Sequence, residues 1–341
     1  MAYDNIRPEK GMYRQSGKTF SQVLEGLDPS ENYRGTSLEK TDAFQRQLRR
    51  FGIKVKGPGS SGVEKFFRTT DSAVLFPEYI ARTVRQGMEE NDILPAITAT
   101  PTVIDAMDYR SIYAEMEEQE AGLAAVAEGA VIPSTKVRTR DNLISLSKRG
   151  RMLVASYEAV RFQKLDLFSV MLRQIGSYIQ KQQLRDAISV LMDGDGNDNA
   201  AERFQVGSTP ISGERGELGY DQLVEFWGEF DPYTMNGMIM GSGMMTRMLK
   251  IPELQNPLTG LNFQGTGVLT TPLGAQLHRT CAVDDNTIIG IDSRYALELV
   301  RAGDVLVEYD KLIDRQLERA AITAICGFGK ICDGAAKVLQ A

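Results

Sequence analysis

The chain has one histidine, three cysteines and no apolar run of membrane-spanning length, and each shortage removes a class of function. With His278 as the only histidine, any Ser-His-Asp or Cys-His scheme must pass through it. That residue sits in Gln276-Leu277-His278-Arg279, an alternating run that reads as a strand. No pair of carboxylates stands out as an acid–base dyad. Cys281, Cys326 and Cys332 are too few for a disulfide framework, and the five residues between the last two do not match zinc-ribbon spacing. Reduced thiols are expected. No apolar leader opens the chain, so a protein made and assembled in a cytoplasm is expected. A net charge of -6 disfavours a protein devoted wholly to free nucleic acid.

What is present is ordinary globular material: 341 residues, 42% apolar and 25% charged, enough for one large domain or two to three smaller ones. Charge is unevenly placed, because residues 1–68 hold 13 Lys and Arg against 8 Asp and Glu, or +5, leaving -11 elsewhere. Their hydrophobic residues, such as Tyr13, Phe20, Val23 and Leu24, are too thinly spaced to build a core. Thr36 and Glu39 form a capping-box pattern ahead of a short helix with Phe44, Leu48 and Phe51 on one face and Arg46, Arg49 and Arg50 on the other. Gly57-Pro58-Gly59-Ser60-Ser61-Gly62 reads as a linker. Residues 1–68 are therefore expected to be an arm that needs a partner. No interleaving of aromatic with basic residues suggests base stacking.

The strongest single signal is Asp166 to Met192. Phe168, Leu172, Ile175, Ile179, Leu184, Ile188 and Leu191 keep to one helical stripe, and Asp193-Gly194 ends it. At about 1.5 Å per residue such a helix runs roughly 40 Å, a beam on which other segments lie. Before it, a helix begins near Pro77 and carries Ile80, Val84 and Met88 on one face. Two extended stretches follow, one ending in the acidic run Glu115-Met116-Glu117-Glu118-Gln119-Glu120 and one carrying Lys136, Arg138, Arg140, Lys148, Arg149 and Arg151. A two-stranded excursion of this kind is marginal alone in water and needs a surface. After the beam, short helices and strands alternate without βαβ regularity, and the end reads as strand, a short helix at 312–319, then strand. The pattern is α+β.

Two motifs invite chemistry. Asp193-Gly194-Asp195-Gly196-Asn197-Asp198 resembles the start of an EF-hand loop, but Asp198 stands where the turn glycine belongs and Phe204 where the bidentate Glu belongs. A plain helix-ending loop is favoured, and no metal site is expected. Gly241-Ser242-Gly243 lies between a strand and a helix, yet Thr246 replaces the third glycine of a dinucleotide loop and no Gly-Lys-Ser/Thr follows. A structural turn is favoured, with no cofactor. The nearby Met235, Met238, Met240, Met244, Met245 and Met248 read as adaptable core filler.

The order of parts resembles a family. Phe76-Pro77-Glu78-Tyr79-Ile80 opens a helix, a β excursion closes with Glu128-Gly129-Ala130-Val131-Ile132-Pro133, and a second strand leads to Ser156-Tyr157-Glu158-Ala159. A long helix then runs into Asp193-Gly194-Asp195-Gly196. Over residues of about 69–330 this is similar to the tailed-phage major capsid proteins of the Hong Kong 97-like fold, which encapsulins share. The resemblance implies an N-terminal arm at 1–68, an extended β loop at 105–152 and an axial domain at 201–305. It implies a peripheral domain made of 69–104, 153–200 with the spine helix, and 306–341. It implies a non-enzymatic shell protein forming hexamers and pentamers of an icosahedral head around double-stranded DNA, with a portal at one vertex, and leaves open whether a decoration protein binds outside.

In that family the arm and the extended loop lie over neighbouring subunits. The inter-subunit contacts expected here are Arg46, Arg49, Arg50, Glu117, Glu118, Glu120, Lys136, Arg138, Arg140, Lys148 and Arg149. Some members cross-link a loop lysine to a C-terminal asparagine; Lys136 and Lys148 could serve as the lysine, but no asparagine follows Asn286, so no such bond is expected. The 68-residue stretch before the fold is shorter than a built-in scaffold, so a separate scaffolding protein is expected. An encapsulin-type cage is the alternative, and a soluble α+β enzyme using the Gly241 turn and His278 the more distant one.

Overall fold

A computed structural model describes residues 2–15, 18–90, 92–115, 128, 136–158, 163–256 and 269–341. The helices that matter below are α1 (Phe20–Leu27), α2 (Ala43–Arg50), α3 (Leu75–Glu89), α4 (Leu165–Asp193), α5 (Tyr220–Gly228) and α6 (Ser242–Met248). Before α4 come strands β1 (Thr100–Ile104), β2 (Ile112–Glu115), β3 (Lys136–Thr139) and β4 (Ser147–Ser156). After it come β5 (Glu202–Gln205), β6 (Gly237–Met240), β7 (Gln276–Arg279) and β8 (Thr287–Ile291). The chain continues with β9 (Leu297–Ala302), β10 (Leu306–Leu312), β11 (Leu317–Lys330) and β12 (Ala336–Gln340).

Two compact units share these elements. The first gathers Met1–Asp92, Lys148–Gln180 and Asp304–Ile325. The second gathers Ile93–Ser147, Lys181–Gly303 and Cys326–Ala341. Helix α4 and strand β11 each give their first part to the first unit and the rest to the second. Residues 1–68 thus group with the helices that follow them, and the β excursion groups with the 201–303 region.

In the first unit the α4 stripe is buried as its spacing predicts, with Phe168, Leu172, Ile175 and Ile179 in one cluster with Leu75, Phe76, Ile80 and Val84 of α3. The two helices cross backbone to backbone. A Cβ on Gly87 would stand 2.1 Å from the Arg173 carbonyl oxygen, and one on Gly176 would stand 2.1 Å from that of Val84. Ala320, Ile322 and Ala324 of β11, with Val307 and Tyr309 of β10, close the core on the sheet side. Aromatic rings fill its end, with Phe76 centred 4.9 Å from Phe67, 5.3 Å from Phe66 and 5.4 Å from Tyr309.

Three sequence expectations need correction here. Residues 1–68 do have a core: Phe20, Leu24, Phe44, Leu48, Ile53, Val63 and Phe66 are buried in the same cluster as α3 and α4. Burying a side chain of that size contributes roughly 2 kcal/mol, and the contacts needed are supplied from far along the chain. The Tyr13 hydroxyl donates to the Val74 carbonyl at 2.9 Å, and Arg82 pairs with Asp42 at 2.5 Å while lying over the Phe44 ring. Second, α2 is capped by Asp42 with Gln45, not Thr36 with Glu39. The Thr36 hydroxyl donates instead to the Tyr33 carbonyl, which closes a turn before the helix. Third, the helix expected at 312–319 shrinks to a single 3-10 turn, Ile313–Arg315, at the end of a β10–β11 hairpin. Its charges face across the strands, with Lys311 on Glu318 at 2.9 Å and Arg319 on Asp310 at 2.8 Å.

The second unit is built on a five-stranded sheet in the order β5-β12-β8-β6-β7. Strands β6 and β8 are buried on both faces, and alternate residues feed two cores. Ile239, Ile289, Ile291 and Val338 meet Leu184, Ala187, Ile188 and Leu191 of α4. Met238, Met240, Ile288 and Leu339 meet Leu223 and Phe226 of α5 and Met244, Met245 and Met248 of α6. The methionine-rich stretch is therefore core. Strands β2 and β3 form a separate two-stranded ribbon. From β2 to β3 only Glu128 is described beyond the strands, so Glu117, Glu118, Glu120 and most of Glu128–Pro133 lie outside the described residues.

Candidate functional site

The features that first suggested chemistry are used inside the fold. His278 is buried in β7, and burial pushes its imidazole below the usual histidine range. In the Gly241-Ser242-Gly243 turn, the Gly243 amide donates to the Asp285 carboxylate at 2.7 Å. A Cβ on Gly241 would stand 2.8 Å from the Val283 carbonyl oxygen, so the glycine lets this turn press on the 283–285 segment. The Asp193–Asp198 loop folds onto itself. Asp195 accepts from the Asn197 side chain at 2.8 Å and from the Lys330 backbone amide at 2.9 Å. Lys330 is fully buried, its ammonium donating to the Asn199 carbonyl at 2.8 Å, and burial lowers its pKa to about 8. Among the described residues no group of three or more His, Cys, Asp or Glu side chains could hold a metal ion. A groove of about 630 Å³ lies over Gly216–Gln222, Arg247 and Lys250–Glu253, but it brings no catalytic set together.

The residues expected at subunit contacts divide in two. Arg46 is wholly buried, with Nε 2.5 Å from an Asp28 carboxylate oxygen and the guanidinium over the Tyr33 ring. Arg140 is also buried, donating to the Ile331 carbonyl at 3.0 Å and to the Asp333 carboxylate at 2.8 Å. Both guanidiniums are engaged within their own chain. Arg50 is half-buried and donates to the Ile6 carbonyl. Arg49, Arg138 and Lys148 are exposed and Arg149 is half-buried. Lys136 lies in β3, paired in register with Glu115.

What the structure adds is a set of exposed apolar side chains among the described residues. On α4, Leu167, Val170 and Met171 recur at helical spacing beside the buried stripe, each at least half exposed, and Tyr178 continues the row with the Arg151 guanidinium 5.7 Å over its ring. On the sheet of the first unit, Met152 and Val154 of β4 and Leu306 of β10 are exposed while their alternates Leu153, Ala155 and Val307 pack inward. On the ribbon, Ile112 and Val137 share one face and are 57% and 65% exposed. Isolated exposed apolar residues are normal, but runs of this kind mark contact surfaces. The sequence carries a signal for the α4 run, since 167, 170, 171 and 178 repeat at three, four and eleven.

The topology of these two units, with the long helix and the long strand running through both, defines the Hong Kong 97-like capsid fold. The likenesses are to solved shells. The chain is similar to the virus-like particle from Pyrococcus furiosus at TM-score 0.50 and 13% identity, over 77% of this chain and 98% of that one. It is similar to the capsid of a native GTA particle at TM-score 0.52 and 12% identity, over 76% and 90%. The capsid of the cyanophage P-SCSP1u gives TM-score 0.52 and 10% identity over 73% and 88%. No protein-family model and no curated protein sequence matches the chain.

Proposed function

We propose that this chain is the major shell subunit of a tailed-phage or prophage-type particle, assembling as hexamers and pentamers into an icosahedral head that encloses double-stranded DNA. The observation that carries the reading is the likeness in fold to phage and GTA capsids along 73 to 76% of the chain. Uncovered apolar runs on α4, the first-unit sheet and the ribbon support it, because a subunit built to work alone would leave less of them to water. Arg49, Lys148, Arg138 and Arg149 are the charged residues proposed to meet neighbours, with Glu117, Glu118, Glu120 and Lys136 of the loop, while Arg46 and Arg140 are spent internally. Assembly in a host cytoplasm, a separate scaffolding protein and a portal at one vertex complete the proposal.

The second reading, an encapsulin-type cage without DNA, draws support from the likeness to a virus-like particle covering 98% of that chain. Among the described residues no helix is long and apolar enough to cross a membrane. Sizing the purified chain and imaging it by negative stain tests the shell reading, with megadalton closed particles expected. A small monodisperse oligomer under all assembly conditions would sink both shell readings. Nuclease-protected DNA inside the particles separates the head from the cage.

A further inference from the structure

In the second unit the two roots of the extended loop are held to the body by buried polar anchors of opposite charge. On the outgoing side, Glu298 of β9 is 5% exposed. Its carboxylate accepts from the Thr102 hydroxyl at 2.5 Å, the Tyr109 hydroxyl at 2.7 Å and the Ser111 hydroxyl at 2.7 Å. A carboxylate taken out of water must find donors, and here three hydroxyls from one short segment supply them. On the returning side, Arg140 reaches the Ile331 carbonyl and the Asp333 carboxylate and lies over the Tyr113 ring at 4.8 Å. The Asn142 amide N–H donates to the Asn197 side chain at 3.0 Å.

The roots are also joined to each other and pressed onto β11. The Arg140 amide donates to the Ser111 carbonyl at 2.8 Å and the Ile144 amide to the Tyr109 carbonyl at 2.9 Å. A Cβ on Gly329 would stand 2.5 Å from Ile144 Cδ1, and one on Gly327 would stand 2.6 Å from the Ser145 carbonyl oxygen. The β1–β9 and β9–β11 pairings run in unbroken register along five residue pairs each. Burying a carboxylate and a guanidinium is costly where apolar residues would pack as well, so a positional role accounts for them better than stability does.

We propose that Glu298 and Arg140 form a two-point clamp that sets the direction in which the β2–β3 ribbon leaves the rest of the second unit. That the loop meets another copy rests on the shell reading; that its roots are clamped does not. Both are positioning residues, and the readout is local. Hydrogen–deuterium exchange on the full chain compares wild type with Glu298→Gln, Arg140→Met and Tyr109→Phe, the last removing one hydroxyl and no carbon. Segment 138–146, whose reporters are the Arg140 and Ile144 amides bonded to the Ser111 and Tyr109 carbonyls, is expected to exchange at least tenfold faster in Glu298→Gln and Arg140→Met, and measurably faster in Tyr109→Phe. Exchange in β8 is expected to stay at its wild-type rate. Unchanged exchange at the roots, or an equal rise in β8, overturns the clamp. If Glu298→Gln and Arg140→Met fail to fold, Tyr109→Phe decides by the same comparison. Particle formation is not read, so the result is independent of whether the chain builds a shell.

Discussion

Arg46 has no surface left to offer. Its guanidinium meets Asp28 at 2.5 Å, Ser30 at 3.1 Å and Glu25 at 3.9 Å, donates to the Asp28 and Thr41 carbonyls, and stacks on Tyr33. The Tyr33 hydroxyl donates in turn to Asp28 at 2.7 Å, so one buried carboxylate ties three parts of the N-terminal segment together. Removing one partner of a buried pair leaves the other uncompensated, which typically costs about 3–5 kcal/mol. Arg46→Ala is expected to lose that much in urea unfolding, whereas exposed Arg49→Ala should stay within about 0.5 kcal/mol. Equal midpoints for the two variants would show that the buried pair does not anchor the segment. Spacing alone puts Arg46 with Arg49 and Arg50 on a polar face. What overrides it is a carboxylate 18 residues upstream, and no local rule announces a partner at that distance.

Among the elements, the α3–α4 crossing carries the first unit. Two glycines bring the helices to backbone contact there, so an added methyl has nowhere to go but into a carbonyl. Gly→Ala inside a helix normally gains up to about 1 kcal/mol in propensity. At Gly176 the clash with Val84 is expected to outweigh this, for a net loss of about 1–2 kcal/mol. Gly228→Ala near the end of α5, where a Cβ would meet nothing within 4 Å, should be neutral or slightly stabilising. Thermal unfolding of the pair tests this, and a Gly176→Ala variant as stable as Gly228→Ala would refute the contact. The buried α4 stripe was legible because seven positions over many turns average out local exceptions. Short elements were not: β12 is five residues, and α1 holds three buried residues whose partners lie on other segments. The glycine crossing left no periodic trace at all.

At the scale of the molecule, the uncovered run on α4 is where the shell reading makes its most direct demand. Val170→Glu with Met171→Glu places two charges on that run without touching the buried stripe. The double variant is expected to keep its circular dichroism and melting temperature while particle yield falls at least tenfold by sedimentation. Normal particles from it would show that this face of α4 is not an assembly surface. Hydrophobic periodicity locates such a run but cannot say whether the chain itself covers it. The division into an arm, a loop and a body was harder to read, because neither unit is a continuous stretch of chain.

The interleaving of the two units bears on how the protein is born. The first core lacks Ala320, Ile322 and Ala324 until β11 has been synthesised, and the central sheet of the second lacks β12, which pairs with both β5 and β8. A nascent chain on the ribosome can therefore finish the first core only once residues 305–324 have emerged, and the second only once β12 has. Folding of each core waits on the stretch that completes it, and contact surfaces form on subunits whose chains have already been made past that point.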